Sequence, residues 1–457
     1  MKLHLIGCDA IYSIEQTAMI LFPALKPRYA EGDDSEGDRS VSILYPDHAE
    51  TRLRIGGKEV ISTVPYDLDE SRRPEIYAIK TSFYHAALAF LPEKPVWGSL
   101  SGVRPAKSAA FIAPDGYQAV VRYLESRYDV SPGKAALTAE AALCAYEIKK
   151  SLAPEDACLY VGIPFCPSRC RYCSFISKPG ASEAELHTYV DALLKELESV
   201  PANYGERHYR AVYIGGGTPA ILSCEEMRRL LEGIRRLIGD EKIEFTVEMG
   251  RPELFTREKL ELLASFGVTK ICVNPQSLDD EVLKLAGRGH TVEAFLEAYQ
   301  LARTFDFSIN SDLIALLDGE TPEGFLRGLE RLISLAPDAI SVHSLAKKRT
   351  AFIEEVGGHG EVLRTLAEGE KLLRGAGYAP YYLYRQKNTA DATENVGWAR
   401  PGGSSLYNVI MMEELGTVLS VGAGSVTKVF EGETMLRSSR GRNTDEYIKR
   451  ILENAKE

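Results

Sequence analysis

Three cysteines within eight consecutive residues are the first feature with chemical content. Cys166, Cys170 and Cys173 stand at C-x3-C-x2-C spacing in LYVGIPFCPSRCRYCSF. A cysteine thiolate is a soft ligand suited to zinc, copper(I) or iron–sulfur clusters. A structural zinc site takes four ligands and is closed, and ordinary 4Fe–4S clusters also take four cysteines. Three cysteines in one tight loop therefore leave a metal position open. An open iron can chelate the amino and carboxylate groups of S-adenosylmethionine, and electron transfer through it can break a carbon–sulfur bond to leave a carbon radical. A zinc site completed by His187 or Cys158, or three buried thiols, are the alternatives at this point. The other cysteines, Cys8, Cys144, Cys158, Cys224 and Cys272, form no stapling pattern. In a long chain, such a cluster reads as metal ligation or redox chemistry rather than a disulfide framework.

Further candidates follow the cysteines. YIGGGTP, Tyr213 to Pro219, carries three glycines that let backbone approach a ligand, although Gly-rich turns are common. Glu248 closes FTVE, where a carboxylate can hold a ribose hydroxyl or an ammonium, or simply end a strand. Gln276 closes the next strand and Arg288 follows twelve residues on. Asp312 lies inside the apolar run SINSDLIA, where a lone acid is costly unless partnered. His343, in AISVHS, suits a structural or a catalytic role equally. Lys347, Lys348 and Arg349 follow it, a solvated run or a set of carboxylate anchors.

These residues need a scaffold that gathers strand ends. LYVGI, AVYIG, IEFTVE, TKICVN, FSINSDLI and AISVHS read as strands, separated by amphipathic stretches. In SCEEMRRLLEGIRRLI, Met227, Leu230, Leu231, Ile234 and Ile238 fall on one helical face. Six βα repeats predict an α/β fold, a partial (β/α)6 TIM-like barrel or a doubly wound sheet, with its chemistry at the strand C-termini. The expected division is an N-terminal α/β accessory domain over 1–150, a core barrel over 151–345 and a mostly helical C-terminal cap or substrate domain over 346–457. Within the last, NVGWARPGGSS reads as a Gly/Pro loop and LYNVIMMEELGTVL as a helix. The acidic stretch Tyr29 to Ser40 reads as a solvated loop.

Composition narrows the classes. The chain has 457 residues, 45% hydrophobic and 26% charged, as in soluble globular proteins. Its formal net charge of −11 disfavours a nucleic-acid coat. No apolar run reaches the ~18 residues that would span a bilayer. The N-terminus lacks a signal-peptide core, so a cytoplasmic protein without a membrane span is expected.

Taken together, Tyr160-x5-Cys166-x3-Cys170-x2-Cys173, GGGTP, Glu248, Gln276-x11-Arg288 and Asp312 resemble the oxygen-independent coproporphyrinogen III dehydrogenase (oxidase) family of radical SAM proteins. Tyr172, an aromatic before the last cysteine, suits that signature. The likeness covers about residues 159 to 430. The long N-terminal domain, SGVRPAK, PYYLYRQKN and ENVGWARPG are similar to its HemZ-like branch. The resemblance implies one 4Fe–4S cluster with three cysteine ligands, and S-adenosylmethionine. It implies that Tyr160, Gly216, Glu248 and Val426 contact the molecule on the cluster. A second S-adenosylmethionine would meet Tyr172, Gly217, Thr218, Gln276, Arg288, Asp312 and Ala346. Tyr160, Glu248, Arg288 and Asp312 are the expected catalytic set. The implied reaction is radical decarboxylation of two coproporphyrinogen III propionates to vinyl groups, giving protoporphyrinogen IX, with an electron donor as partner. Arg104, Lys107, Lys347, Lys348, Arg349, Arg385 and Lys387 are candidate propionate anchors.

Two positions depart from the decarboxylase pattern. Phe175 stands where a further cysteine follows the triplet, and Gly162 stands where a histidine precedes IPF. CSF is similar to the haem-chaperone branch, so a haem-binding or haem-transfer protein on the same fold is the second reading. An RNA-modifying radical SAM protein is the third, which the acidic charge disfavours.

Overall fold

The computed structural model describes all residues except 32–36, 67–72, 176, 346–359, 387–388, 390–392, 433 and 454–457. Ala346, Lys347, Lys348, Arg349 and Lys387 therefore lie outside the described residues. The chain forms two compact units, Met1–Ala139 and Glu140–Glu457.

In the first unit, β1 (Lys2–Ile6), β2 (Arg28–Tyr29), β3 (Arg39–Leu44), β4 (His48–Ile55) and β5 (Lys58–Pro65) form a sheet in the order β2-β1-β3-β4-β5. Gly56 and Gly57, at φ +57° and +84°, make the tight β4–β5 turn, which needs left-handed backbone at both positions. Helices α1 (Ile11–Leu21) and α2 (Pro74–Ala87) contribute Ile14, Ile79 and Phe83 to a core shared with Leu3, Ala49 and Leu53. Short α3 (Pro105–Ser108) and α4 (Tyr117–Tyr128) follow, and α5 (Pro132–Lys150) runs on into the second unit.

The second unit is built on β6 (Asp156–Ile163), a two-residue pair β7 (Phe165–Cys166) and β8 (Lys178–Pro179), then β9 (His208–Gly216), β10 (Glu244–Val247), β11 (Lys270–Cys272), β12 (Ser308–Ala315) and β13 (Ala339–Ser344). β6, β9, β10, β11, β12 and β13 pair in that order, every neighbour parallel. This is the six-strand βα succession of the sequence, so the six C-terminal strand ends share one rim. The intervening helices are α6 (Glu183–Tyr204), α7 (Cys224–Ile238), α8 (Arg257–Ser265), α9 (Asp280–Leu285), α10 (Val292–Ala302) and α11 (Pro322–Ser334). α7 buries Met227, Leu230, Leu231, Ile234 and Ile238, each worth about 2 kcal/mol in area removed from water. Ser223 caps it by accepting from the Glu226 N–H.

The C-terminal part joins the same sheet. After α12 (Glu361–Gly375) come β14 (Ala379–Arg385), β15 (Glu394–Ala399), α13 (Leu406–Glu413), β16 (Thr417–Val421), β17 (Val426–Glu431), β18 (Thr434–Ser439) and α14 (Thr444–Glu453). The sheet order is β14-β15-β13-β12-β11-β10-β9-β6-β16-β17-β18. The segment expected as mostly helical thus supplies three helices and also five strands among the described residues. Two local readings change accordingly. NVGWA is no loop but β15, buried throughout between β13 and β14. Gly397 permits this, because a Cβ there would stand 2.0 Å from the Tyr382 ring. In LYNVIMMEELGTVL the helix stops at Glu413, Glu414 turns left-handed at φ +55°, and TVL enters β16.

Candidate functional site

The cysteine loop leaves the C-terminal end of β6 and is closed at its base. β7 pairs in parallel with β8, the Lys178 N–H donates to the Pro164 carbonyl at 2.8 Å, and the Gly180 N–H donates to the Cys166 carbonyl at 3.2 Å. Inside the loop the Cys173 N–H donates to the Cys170 carbonyl at 3.2 Å. Cys166 and Cys170 are buried and Cys173 is half-buried. Burial pushes the Cys173 thiol up, and the neighbouring Cys170 and Cys166 sulfurs push it further. Among the described residues no three His, Cys, Asp or Glu side chains close on a single ion. Each cysteine of an iron–sulfur cluster binds its own iron, so its thiols stand apart. The zinc alternatives lose their fourth ligands. His187 is held by Glu226 at 2.7 Å on α6, and Cys158 is buried low in β6 against Ala211 and Val418.

The glycine turn of β9 packs against this loop. The Gly217 and Thr218 N–H groups donate to the Ile163 and Phe165 carbonyls, both at 2.8 Å. Gly216 has φ +115°, and a Cβ on Gly217 would stand 2.5 Å from the Phe165 carbonyl oxygen and 3.0 Å from the Cys166 sulfur. Only glycine fits there. The Thr218 hydroxyl donates to Cys166 Sγ at 3.4 Å. Glu248 follows β10, and a Cβ on Gly215 would stand 2.8 Å from its carboxylate. Burial pushes the Glu248 carboxyl up to about 8, the Asp312 charge adds to this, and the Gly216 N–H and Tyr213 hydroxyl oppose it.

Asp312 is driven the other way. Burial alone would raise it, but the adjacent His343, together with Asn310 and Ser341, holds it below the usual carboxylate range. Asn274 and Asn310 donate to its two oxygens at 3.0 and 2.7 Å, and His343 Nε2 stands 3.8 Å away. Two neighbouring carboxyls with opposite shifts are the pattern of divided acid and base roles. Gln276 does not end β11, as expected, because that strand stops at Cys272. Gln276 rejoins the sheet by a lone bridge to Leu313, with φ +69°. Its N–H donates to the Asp312 carbonyl at 3.0 Å, and its buried Oε1 has no partner. Arg288 donates through Nη2 to the Asn274 carbonyl at 2.6 Å and the Gly250 carbonyl at 3.1 Å, while its buried Nε lacks one. Tyr172 packs on Val282, Ala286, Ile314, Leu317 and Leu345.

The remaining expected residues lie elsewhere on the sheet. Tyr160 sits in β6, its ring stacked 6.3 Å from Tyr213 and 6.2 Å from Tyr407. Val426 begins β17, its carbonyl accepting from Ser420 Oγ at 2.8 Å. Arg385 is buried at 5% exposure. Burial lowers its guanidinium to about 10 against the support of the Glu394 charge. Sequence reasoning missed Arg251, which is 2% exposed and donates to Cys170 Sγ at 3.1 Å. It also missed Asn274 and the Tyr213–Tyr407 stack, whose centroids are 4.6 Å apart.

A cysteine loop at the first strand end, a glycine cradle at the second and acids at the third and fifth define a radical SAM protein, and the Radical SAM superfamily pattern matches residues 160–332. The oxygen-independent coproporphyrinogen-III oxidase-like protein HemZ of Bacillus subtilis (strain 168) is 34% identical over 359 residues, covering 74% of this chain and 71% of that protein. The chain belongs to the coproporphyrinogen III oxidase-like family of radical SAM proteins. Heme chaperone HemW of Escherichia coli (strain K12) is 30% identical, over 65% of this chain and 78% of its own length. The solved structure of the coproporphyrinogen III oxidase HemN from Escherichia coli, described as a radical SAM enzyme, shares the fold. Its TM-score is 0.55 and its identity 24%, over 68% of this chain and 72% of that one. Proteins of this superfamily bind a 4Fe–4S cluster and S-adenosylmethionine. The residues present fit both: three free cysteines in one loop, a cradle that a Cβ would fill, and the orphaned Gln276 and Arg288 atoms.

Proposed function

We propose that the protein is an oxidoreductase that decarboxylates propionate side chains of coproporphyrinogen III to vinyl groups, in the cytoplasm. Each conversion removes one hydrogen atom, one carbon dioxide and one electron, and two conversions yield protoporphyrinogen IX. The observation that carries this reading is the reach of the likeness to the oxidase-like HemZ. It extends over 74% of the chain, far beyond the 160–332 superfamily match.

Bound at the rim, the cluster and S-adenosylmethionine supply a carbon radical able to remove hydrogen from an unactivated carbon. Cys166, Cys170 and Cys173 would hold three irons and leave the fourth open. Gly216 and Gly217 keep their backbone clear for close approach. Glu248, its carboxyl pushed up to about 8 by burial, can donate as well as accept a hydrogen bond near neutral pH. Asp312, held ionised beside His343, can accept from hydroxyl or ammonium donors. Gln276 and Arg288 offer the buried acceptor and donor that lack partners, which supports a second S-adenosylmethionine next to Tyr172. Tyr160 and Val426 join Gly216 and Glu248 in the proposed contacts to the molecule on the cluster, and Ala346, outside the described residues, belongs to the second set. The tetrapyrrole, an electron donor that reduces the cluster and an acceptor for the electron released with each carbon dioxide are the partners this chemistry requires.

The second reading, a haem-transfer protein, is favoured by one feature. Phe175 takes the place of a cysteine and is 69% exposed beside the cluster loop, an apolar surface suited to a macrocycle. Anaerobic reconstitution with S-adenosylmethionine, a reductant and coproporphyrinogen III separates the two. Release of 5′-deoxyadenosine matched by vinyl product supports the dehydrogenase. Slow release indifferent to substrate, with tight haem binding, overturns it in favour of the second reading.

A further inference from the structure

Arg251 lies in the loop after β10, three residues past Glu248, and is 2% exposed. A buried guanidinium is costly unless its donors and charge are matched. Here one nitrogen, Nη2, reaches three acceptors on the cysteine loop: the Ser168 carbonyl at 3.0 Å, Ser168 Oγ at 3.2 Å and Cys170 Sγ at 3.1 Å. The other, Nη1, stands 3.5 Å from Glu253 and makes no hydrogen bond. His290 packs beside this group with its side chain fully buried. Its own burial, then the charges of Arg288 and Arg251, keep it neutral, with its imidazole pushed down to about 3. The Arg251 guanidinium is therefore shared, with Nη2 on the Cys170 sulfur and Nη1 in a looser ion pair with the partly exposed Glu253. The contact joins residues 81 positions apart.

A cluster with three thiolate ligands gains negative charge when reduced. A fixed buried cation and an N–H bond to a ligand sulfur both stabilise that state, because hydrogen bonds to sulfur, charge and burial set cluster potentials. We propose that Arg251 is a positioning residue that raises the reduction potential of the cluster held by Cys166, Cys170 and Cys173. The proposal rests on the cluster and not on the tetrapyrrole reading. It makes the cluster easier to reduce before any substrate is engaged.

The test is anaerobic reconstitution of the full-length wild type, R251Q, R251K and S168A. Iron and sulfide are counted, and the midpoint potential is followed by the electron paramagnetic resonance of the reduced cluster. R251Q is expected to load iron and to shift negative, with the reduced-to-oxidised ratio at fixed potential falling about tenfold, 59 mV for one electron. R251K keeps a charge without the planar fork and is expected to shift in the same direction by less. S168A removes one acceptor, leaves the guanidinium on sulfur, and is expected to keep the wild-type potential. A wild-type potential in R251Q overturns the proposal, as does an S168A shift as large as that of R251Q. If R251Q fails to load, R251K decides alone, and an unchanged potential in it overturns the proposal. Failure of both to take up iron would assign Arg251 to loop assembly and equally overturn it. Loss of iron in the wild type would instead fault the cluster itself.

Discussion

The two ends of the parallel strands treat polar groups in opposite ways. At the N-terminal end, Asp156 accepts from the Ala153 N–H, Arg210 and His208 at 2.9, 2.8 and 2.5 Å. Glu244 accepts from Ser405 Oγ and the Leu406 and Tyr407 N–H groups at 2.8, 2.8 and 2.9 Å. At the C-terminal end, Gln276 Oε1, Arg288 Nε and Arg251 Nη1 are buried without hydrogen-bond partners, and Gln276 sits in the left-handed region. Buried polar atoms are almost always satisfied, so each of these orphans beside the cysteine loop is a position where a ligand can supply the missing partner. In parallel barrels the N-terminal end of the strands serves stability, and the C-terminal end carries the chemistry.

The sharpest way to break this contrast is to cut each end once. Cys170→Ala is expected to abolish iron binding and all S-adenosylmethionine cleavage while the melting temperature of the apo chain stays close to wild type. Absorbance of the reconstituted cluster and deoxyadenosine release read the first, and a thermal melt the second. Retained cleavage would remove Cys170 from the ligand set. Asp156→Ala should do the reverse. It leaves Arg210 without its buried carboxylate, and breaking a buried pair costs about 3 kcal/mol. Urea unfolding should show that loss, with iron per folded chain unchanged. An Asp156 variant that unfolds like wild type but loads no iron would put the functional end on the wrong side.

The two ends also predict opposite pH dependences. Asp156 is buried, which alone would raise its carboxyl, but His208, the Ala153 N–H and Arg210 outweigh this and lower it. Its stabilisation is present above the unfolded carboxylate pKa and is lost as pH falls through the depressed value. Glu248 is raised from 4.5 to about 8, so the folded apo chain binds a proton that the unfolded chain has released. That contribution is full below the unfolded pKa and is lost as pH rises through about 8. Glu248→Gln should therefore flatten the fall in apo stability between pH 5 and 8, a change on the order of 3 kcal/mol. An unaltered slope in urea titrations across that window would show that Glu248 is not buried as a neutral acid. The same variant should weaken S-adenosylmethionine binding by up to about tenfold, as loss of a buried hydrogen bond does. Equilibrium dialysis checks this.

The sequence made the functional end legible to an uneven degree. The cysteines, the glycines and the acids could be read because each is defined by its neighbours along the chain or by its misfit in an apolar strand. Asp312 is the clearest case, a charge inside SINSDLIA that had to find partners. Arg251 was not legible, because its meaning lies in a contact with Cys170 81 residues away, and an arginine in a loop reads as a surface cation. β15 was misread for a related reason. Gly397, Arg400 and Pro401 look like a loop, but Gly397 is there to admit the Tyr382 ring, a fact set by the paired strand. Gln276 reads as a strand end in the sequence, since nothing in VNPQS announces that the chain leaves the sheet after Cys272 and returns through one bridge.

That return is the basis of the smallest expected effect. A non-glycine residue in the left-handed region costs roughly 1 kcal/mol, because its Cβ crowds the following carbonyl. The closed end of the barrel carries no such cost at Asp156 or Glu244, neither of which lies in the left-handed region. Gln276→Ala and Gln276→Gly both delete the orphaned amide, and they differ in whether a Cβ remains at φ +69°. If the strained backbone is held for the site, the two variants should lose the second S-adenosylmethionine contact equally. Gln276→Gly should nevertheless be the more stable of the pair, by at most about 0.5 kcal/mol, because glycine's larger unfolded-state entropy offsets much of the left-handed relief. Urea unfolding of the two apo variants side by side measures this directly. A more stable alanine variant would mean that the backbone relaxes out of the left-handed region once the side chain is gone. The conformation would then be imposed by the Gln276 side chain itself and not by the bridge to Leu313.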